Sequence, residues 1–571
     1  MTKSKWELFA FDRIGGWVNS LAVGPGGVWA GGLGGVARYS DAEGWSPPNS
    51  TIALHCVISL AYREGVLLAG HESGIVRSSD GGKTWESTDV GGNFSTTTAF
   101  AFSPRFAEEG VALASTFGSG VLRTTDGGRS WRPSNFGLDD HEVMSLAWQA
   151  RESVVAATQS GLFHSPNGGR AWRTVPNTNG IVFNTLTWLP DGALLTAPNM
   201  DRPRLFSPDL TEWEPVDALP GTMDAWSITT LPGGMILLGG GIRGLWVSAD
   251  SARSWTQLWQ RGCWSVTGDG ERIFAGPSNG LACSKDRGQT WTALPHPPLQ
   301  PFHWMLPLDD AIVIAGVNAD PILHFSNGEI EGDDHLGPLP YFGFWKNGPG
   351  SFIASTESGL FLYENGIEGQ DVANEDGCTQ ATFLGDDGWA GATSGGQLLR
   401  THDGGRTWSG SPSPFGNLPL VALQAIPNLE DGQFGYLMAA TYDERNRSVK
   451  VWRSDDGERW TPGADSYTPW SLVATLGEPA VVTVGSVIST RQSDGTWNQS
   501  TVGETAFRRL VFDGSTLYAL AVDALWRSDH YGKTWSRDDD ELPTNEMLDI
   551  AIFDGKLHLL LTGGRLLARV S

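Results

Sequence analysis

A nine-residue phrase that returns at a nearly fixed interval constrains this chain more than anything else in it. It reads R-S-S-D-G-G-K-T-W at 77–85, R-T-T-D-G-G-R-S-W at 123–131 and R-T-H-D-G-G-R-T-W at 400–408. Weaker copies end at Trp172, Trp255, Trp291, Trp460, Trp497 and Trp535, and eroded ones at Trp45 and Trp213. Trp45 and Trp85 are 40 residues apart, Trp131 and Trp172 41, and Trp213 and Trp255 42. A period of this length marks a supersecondary unit that buries its apolar faces only against copies of itself. Trp291 and Trp408 stand 117 residues apart, three steps of 39, so two degenerate copies belong between them. F-S-N-G-E-I-E at 325–331 and Y-E-N-G-I-E at 363–368 fill those places.

The text upstream of each phrase is constant too. At 57–77, V-I-S-L-A-Y-R-E-G-V-L-L-A-G-H-E-S-G-I-V-R reads as strand, turn, strand, short loop, strand. Short apolar runs punctuated by Gly, Asp or Pro are the grammar of hairpins. The strand carrying the tryptophan makes a fourth, and a four-stranded meander is one propeller blade. The 74 glycines and 26 tryptophans then have a shared explanation in many tight turns and one recurring packing residue. The last segment, T-G-G-R-L-L-A-R-V-S, reads as a third strand with no phrase after it. The first, S-K-W-E-L-F, reads as a fourth strand with no blade before it, and Trp535 to Trp6 around the join is one repeat of 42. The amino-terminal strand is therefore expected to complete the carboxyl-terminal blade, leaving no open edge.

The expected fold is all-β: tandem β-propellers, fourteen four-stranded blades in two seven-bladed rings, with a 6 + 8 division as the runner-up. The expected division places residues 1–260 plus 543–571 in a first ring closed by both termini, and 261–542 in a second ring inserted into it.

Charge and composition exclude several function classes. The net charge is −25, from 39 basic and 64 acidic residues, which disfavours a general nucleic-acid binder. Four cysteines, Cys56, Cys263, Cys283 and Cys378, form no C-x-x-C pair and no disulfide framework. No run of 18 apolar residues is present, so no membrane span is expected. The amino terminus, M-T-K-S-K-W-E-L-F-A-F, shows no apolar h-region or cleavage site, and the sequence as given reads as cytoplasmic.

The phrase resembles the Asp-box, or bacterial neuraminidase repeat, S/T-x-D-x-G-x-T-W, over almost the whole chain. The resemblance links the chain to sialidase-like, xyloglucanase-like and photosystem II assembly-factor-like propellers, and to sortilin-type receptors. It implies that the box lies on the turn between the third and fourth strands, away from the ligand face. The chemistry agrees: an Asp carboxylate accepts turn N–H groups, and glycine supplies positive φ. Asp80, Asp126, Asp250, Asp286 and Asp403 are accordingly read as structural.

Function on such a scaffold is expected where loops enter strand one and where strands two and three join. Three strand-two-to-three loops are longer and charged: N-M-D-R-P-R at 199–204, G-V-N-A-D-P at 316–321 and Y-D-E-R-N-R at 442–447. They supply Asp201, Asp320, Asp443 and Glu444 as candidate catalytic carboxylates, against a reading as solvated loops or contacts between rings. The segments leading into strand one are aromatic and supply Trp17, Trp226, Trp264, Trp304 and Trp470. Beside them stand Arg13, His141, Glu142, Asp224, His303 and Arg508 as candidate ligand-binding groups. Rings beside carboxylates suit a saccharide or another small ligand, and equally suit a plug in a central channel. Cys56, Cys263 and Cys378 fall at similar positions, with His55 beside the first, but free cysteines are commonly buried hydrophobes, and neither a metal nor a cofactor is expected.

Sialidases carry an early F-R-I-P motif; the nearest text here is F-D-R-I-G at 11–15. Xyloglucan-cleaving enzymes resemble the chain in plan, but Gly32, in A-G-G-L-G-G-V-A-R at 30–38, takes the place of their catalytic aspartate. The expected function is a non-catalytic ligand-binding or scaffolding propeller whose partner is a small molecule, a saccharide or a protein. The alternative is a glycoside hydrolase or lyase acting on a saccharide or other small molecule in a cleft between the propellers.

Overall fold

The computed structural model describes residues 6–570 except 10–17, 317–321, 334–340, 374–377, 428–433, 444–447, 467–471, 475–480, 492–496, 503–506 and shorter breaks elsewhere. Among the described residues the chain forms fourteen four-stranded antiparallel sheets, a single-turn α-helix, Phe106–Glu109, and a 3-10 turn, Thr562–Gly564. No helix among them is long and apolar enough to cross a membrane.

The sheet built from Val57–Arg63, Val66–His71, Gly74–Ser78 and Glu86–Ser87 shows how the sequence makes a blade. Glu64 and Gly65 both take positive φ, which matches a two-residue hairpin turn to the twist of its strands. The repeated phrase forms the turn between the third and fourth strands. Asp80 Oδ1 accepts the N–H groups of Lys83 and Thr84 at 3.0 Å, and Oδ2 accepts the Thr84 hydroxyl at 2.6 Å. Ser78 Oγ donates to Asp80 at 2.8 Å and accepts the Gly82 N–H at 2.9 Å. The Trp85 indole donates to the Gly82 carbonyl at 3.1 Å, which locks the ring against the turn. Two consecutive left-handed residues are needed, supplied here by Gly81 and Gly82. At the copy ending in Trp255 the same two places hold Ser251 and Ala252, at φ +57° and +67°. The degenerate copy at 325–331 keeps only a two-residue hairpin, with Asn327 and Gly328 at positive φ.

Where their burial is described, second strands such as Val66–His71 and Val154–Thr158 are buried on both faces, which explains their near-continuous apolar runs. Alternate side chains point to opposite neighbours. Leu67 and Ala69 pack with Ala22, Trp29 and Val57 on one side, whereas Leu68 packs with Ala112, Leu122 and Trp131 on the other. Val154 and Ala156 face one neighbour, and Val155 and Ala157 the next. Each fully buried Leu or Val of this kind contributes about 1.5–3 kcal/mol. The blades therefore hold one another in place.

Two compact units result, Asp12–Gln300 and Met1–Phe11 with Pro301–Ser571. In the first, seven sheets succeed one another, beginning with strands Ser20–Gly24, Val57–Arg63, Thr97–Phe102, Val143–Trp148, Phe183–Trp188, Ser227–Thr230 and Ser265–Gly268. Each first strand lies beside the next, and Ser265–Gly268 lies against Ser20–Gly24, so the series closes. Ser265 Oγ donates to the Val18 carbonyl at 3.1 Å, and the Trp45 indole to the Pro295 carbonyl at 2.6 Å. In the second unit seven sheets run from Trp304–Pro307 to Met547–Phe553, which lies back against Trp304–Pro307. Its last sheet is completed by Trp6–Phe9, with Trp6 opposite Arg569 and Phe9 opposite Leu566.

The architecture is thus propeller-like, and the first strand does complete the carboxyl-terminal blade. The division at 260 does not match the compact units. The sheet at 265–293 is the seventh of the 12–300 unit, and the blade shared by the two ends belongs to the other unit. Repeat spacing counts blades but does not say where a ring closes. Closure is set by contacts between strands some 245 residues apart, such as Ser265 with Val18.

Candidate functional site

The loops that lead into first strands and those that join second to third strands lie at the same end of each blade, opposite the repeated turns. In the 12–300 unit that end carries side chains that a core does not explain. Phe117, Met200 and Ile242, each in a strand-two-to-three loop, are 44%, 65% and 77% exposed, and Trp226, just ahead of its first strand, is 48% exposed. Large apolar groups gathered at one end of a scaffold mark a contact surface more than scattered ones do.

Acidic groups are interleaved with them. Asp139, Asp140, His141 and Glu142 line an open depression of about 600 Å³ with Gly118, Gln159 and Ser160. Asp140 accepts the N–H groups of Glu142 at 2.9 Å and Ser160 at 2.8 Å. Burial acts to raise its pKa, but the bonds from Ser160 and Glu142 outweigh it and keep the carboxyl below its usual range. His141 and Glu142 are exposed, and the His141 carbonyl accepts the N–H groups of Gly118 and Gly120 at 2.9 and 3.0 Å.

Asp201 accepts the Arg202 N–H at 2.7 Å and the Arg204 guanidinium at 2.9 Å. The Arg202 N–H, then Arg204, hold its carboxyl below the usual range. Asp224 places Oδ1 in a buried position without a hydrogen-bond partner. Trp264 is half-buried, with its indole nitrogen likewise buried and unpaired. Its ring packs so close to Gly241 that a Cβ there would sit 3.1 Å from it.

A further cluster was half seen in the sequence, where Cys56 and His55 were noted but His71 and Glu72 were not. His55 Nδ1 lies 3.1 Å from Glu72 Oε1, and the Cys56 N–H donates to Glu72 Oε2 at 2.9 Å. The His55 and His71 rings are 4.0 Å apart between centroids. Ser73 places its N–H and its hydroxyl 3.3 Å from His71 Nδ1. Burial first, and then the charge of His55, lower His71 to about 4. Burial opposes ionisation of Glu72, but the His55 hydrogen bond leads the effects that bring its pKa below normal. The Cys56 thiol is pushed up to about 11 by burial and by Glu72, and Cys263 to about 12 by burial, so both remain thiols at neutral pH. The signal for this cluster was hairpin register: Val57 pairs with His71, which brings H-C at 55–56 onto H-E at 71–72.

The remaining candidates divide between the other unit and undescribed segments. In the 301–571 unit the His303 and Trp304 rings meet edge-on at 5.5 Å. Arg508 is largely buried, and that burial lowers its pKa against the pull of Asp549. The backbone of Asp443 ends the strand Phe434–Asp443, opposite Ser448, but its side chain lies outside the described residues. Arg13, Trp17, Asp320, Glu444 and Trp470 also lie outside them. Of the sequence candidates, His141, Glu142, Asp201, Asp224, Trp226 and Trp264 share the loop end of one unit, and His303, Trp304 and Arg508 belong to the other.

No protein-family profile and no curated protein sequence matches the chain. Solved structures do. The GH74 xyloglucanase from Xanthomonas campestris is 16% identical, with 99% of this chain and 100% of that one covered at a TM-score of 0.59. PorZ, a surface component of the type-IX secretion system of Porphyromonas gingivalis, is 14% identical over 99% and 87% at 0.51. The GH74 enzyme of Niastella koreensis is 15% identical over 99% of both chains at 0.50. At these identities the likeness establishes a β-propeller fold, which glycoside hydrolases and a secretion-system component share.

Proposed function

We propose that this chain is a non-catalytic binding propeller of Asp-box type, and that it holds a protein or peptide partner on the loop end of the 12–300 unit. The observation that carries this reading is the set of exposed apolar side chains there, Phe117, Met200, Trp226 and Ile242, set among carboxylates. Methionine and isoleucine do not stack on sugar rings, but they fit apolar anchors of a polypeptide. The acidic surroundings and the net charge of −25 favour a partner rich in Lys and Arg, through steering and rim pairing.

A glycosidase needs one carboxylic acid held protonated near neutral pH. Glu72, Asp140 and Asp201 are all shifted the other way, towards the ionised form. Gly32, where the xyloglucanase resemblance implies an aspartate, sits buried at the end of Gly27–Gly32.

The test is selection of a random peptide library on the full chain, with a glycan panel in parallel. Enriched peptides should combine aromatic or aliphatic anchors with basic residues, and Ile242→Ser with Met200→Ser should weaken them about tenfold or more. Binding or turnover of a glycan, with no peptide enriched, would sink the reading.

A further inference from the structure

We propose that His55, His71 and Glu72 form a binding site for a divalent transition metal of the zinc class, with an outward coordination position left for water or a ligand atom. One nitrogen of each imidazole and one oxygen of Glu72 lie within 4.8 Å of one another. Two imidazoles and a carboxylate are a donor set that zinc takes with water as its fourth ligand. Nitrogen donors select zinc, copper or nickel over magnesium or calcium, which prefer oxygen throughout.

The hairpin prepares these groups. The pairing of Val57 with His71 fixes the two chain segments in register. His71 is the anchored member, its side chain 6% exposed, whereas those of His55 and Glu72 are 30% and 47% exposed. The last two can swing the short distance that metal–nitrogen bonds of about 2.0–2.1 Å require. An outer partner is in place as well: the Cys56 N–H orients Glu72. The site goes beyond the binding reading and does not rest on it, since no partner enters the argument.

Cobalt(II) and zinc(II) titrations of the intact, metal-stripped chain test the proposal, by visible absorption and by calorimetry respectively. One equivalent per chain should bind with a Kd in the micromolar range or below, and cobalt should give the d–d spectrum of a four- or five-coordinate nitrogen/oxygen site. His55→Ala and Glu72→Gln should each weaken binding about tenfold or more, in line with the loss of one of three protein ligands. Both positions are partly exposed, so the metal-free melting temperature of these variants should match that of the parent. That separates loss of the site from loss of the fold. Failure to bind one equivalent, or binding by both variants with the parent's affinity, overturns the assignment.

Discussion

The two units close their series of blades with different chemistry. In the 12–300 unit, hydroxyls link the first strands of neighbouring blades. Ser20 Oγ accepts the Leu60 N–H at 2.8 Å, and Ser59 Oγ donates to the Thr97 carbonyl at 3.0 Å. The closing seam follows the same habit, with Ser265 Oγ on the Val18 carbonyl. In the 301–571 unit, Thr382 plays this part for the Ala425 N–H at 2.9 Å, but the closing seam uses a carboxylate. Asp549, 4% exposed, accepts the Met305 N–H across the seam at 2.7 Å and the Ile550 N–H at 2.9 Å. Arg509 approaches it at 3.6 Å. The unit whose last blade is assembled from both ends of the chain thus carries the more exacting clasp. A neutral hydroxyl left without its partner costs little, whereas a buried carboxylate and its donors depend on one another.

The comparison can be broken most severely at the shared blade. Trp6 is 9% exposed and packs with Tyr518, Leu520, Leu559 and Leu567. Trp6→Ala should cost the 301–571 unit about 3–5 kcal/mol. In a urea titration followed by fluorescence, an early transition should separate from that of the 12–300 unit. Next comes the seam itself. Asp549→Ala strands two buried N–H groups and should cost about 3 kcal/mol, whereas Ser265→Ala, its counterpart in the other unit, should cost only about 1 kcal/mol. Equal losses in the two variants, measured by the same titration, would erase the distinction.

The smallest effect is in pH, where the two kinds of carboxylate have opposite signs. Burial raises the pKa of Asp549, so its folded form binds a proton more readily than the unfolded chain. Its contribution therefore declines as pH rises from about 4, the unfolded value. Asp250 and Asp286 in the repeated turns behave the other way. The Ser254 and Thr290 hydroxyls, with the N–H groups of the same residues, hold them at about 2. Their stabilisation is complete above about 4 and is lost as pH falls towards 2. Melting temperatures between pH 2 and 8 should show Asp549→Asn flattening the limb above about pH 4 and Asp286→Asn flattening the limb below it.

Local chemistry was legible in the sequence and closure was not. The phrase at 77–85 encodes its own turn, because Asp80, Thr84 and Trp85 bond only to residues within four positions. Even the eroded copy at 325–331 was recognisable, since Asn327-Gly328 is itself a hairpin signal. Ring membership was misread because both divisions give seven blades, and Ser265 and Asp549 announce nothing about Val18 or Met305 from their own surroundings. The same limit applies to the site. Trp226 and Asp201 stood out as an aromatic lead-in and a long loop. His71 and Glu72 sat at a short junction between second and third strands, and they gain meaning only through a partner 17 residues upstream of Glu72, where His55 meets it.

The pairing of Trp6–Phe9 with Arg565–Arg569 also has a temporal meaning. During synthesis the strand at 6–9 leaves the ribosome long before its partner at 565–569 is made. At about 5–20 residues per second, that delay is on the order of a minute. The 12–300 unit contains every strand it needs and can complete itself within that interval. The other unit stays open, with one edge uncovered, until the strand Arg565–Arg569 emerges. Any factor that guards this chain as it is made therefore has a defined target: the waiting strand at 6–9 and the unfinished blade that will receive it.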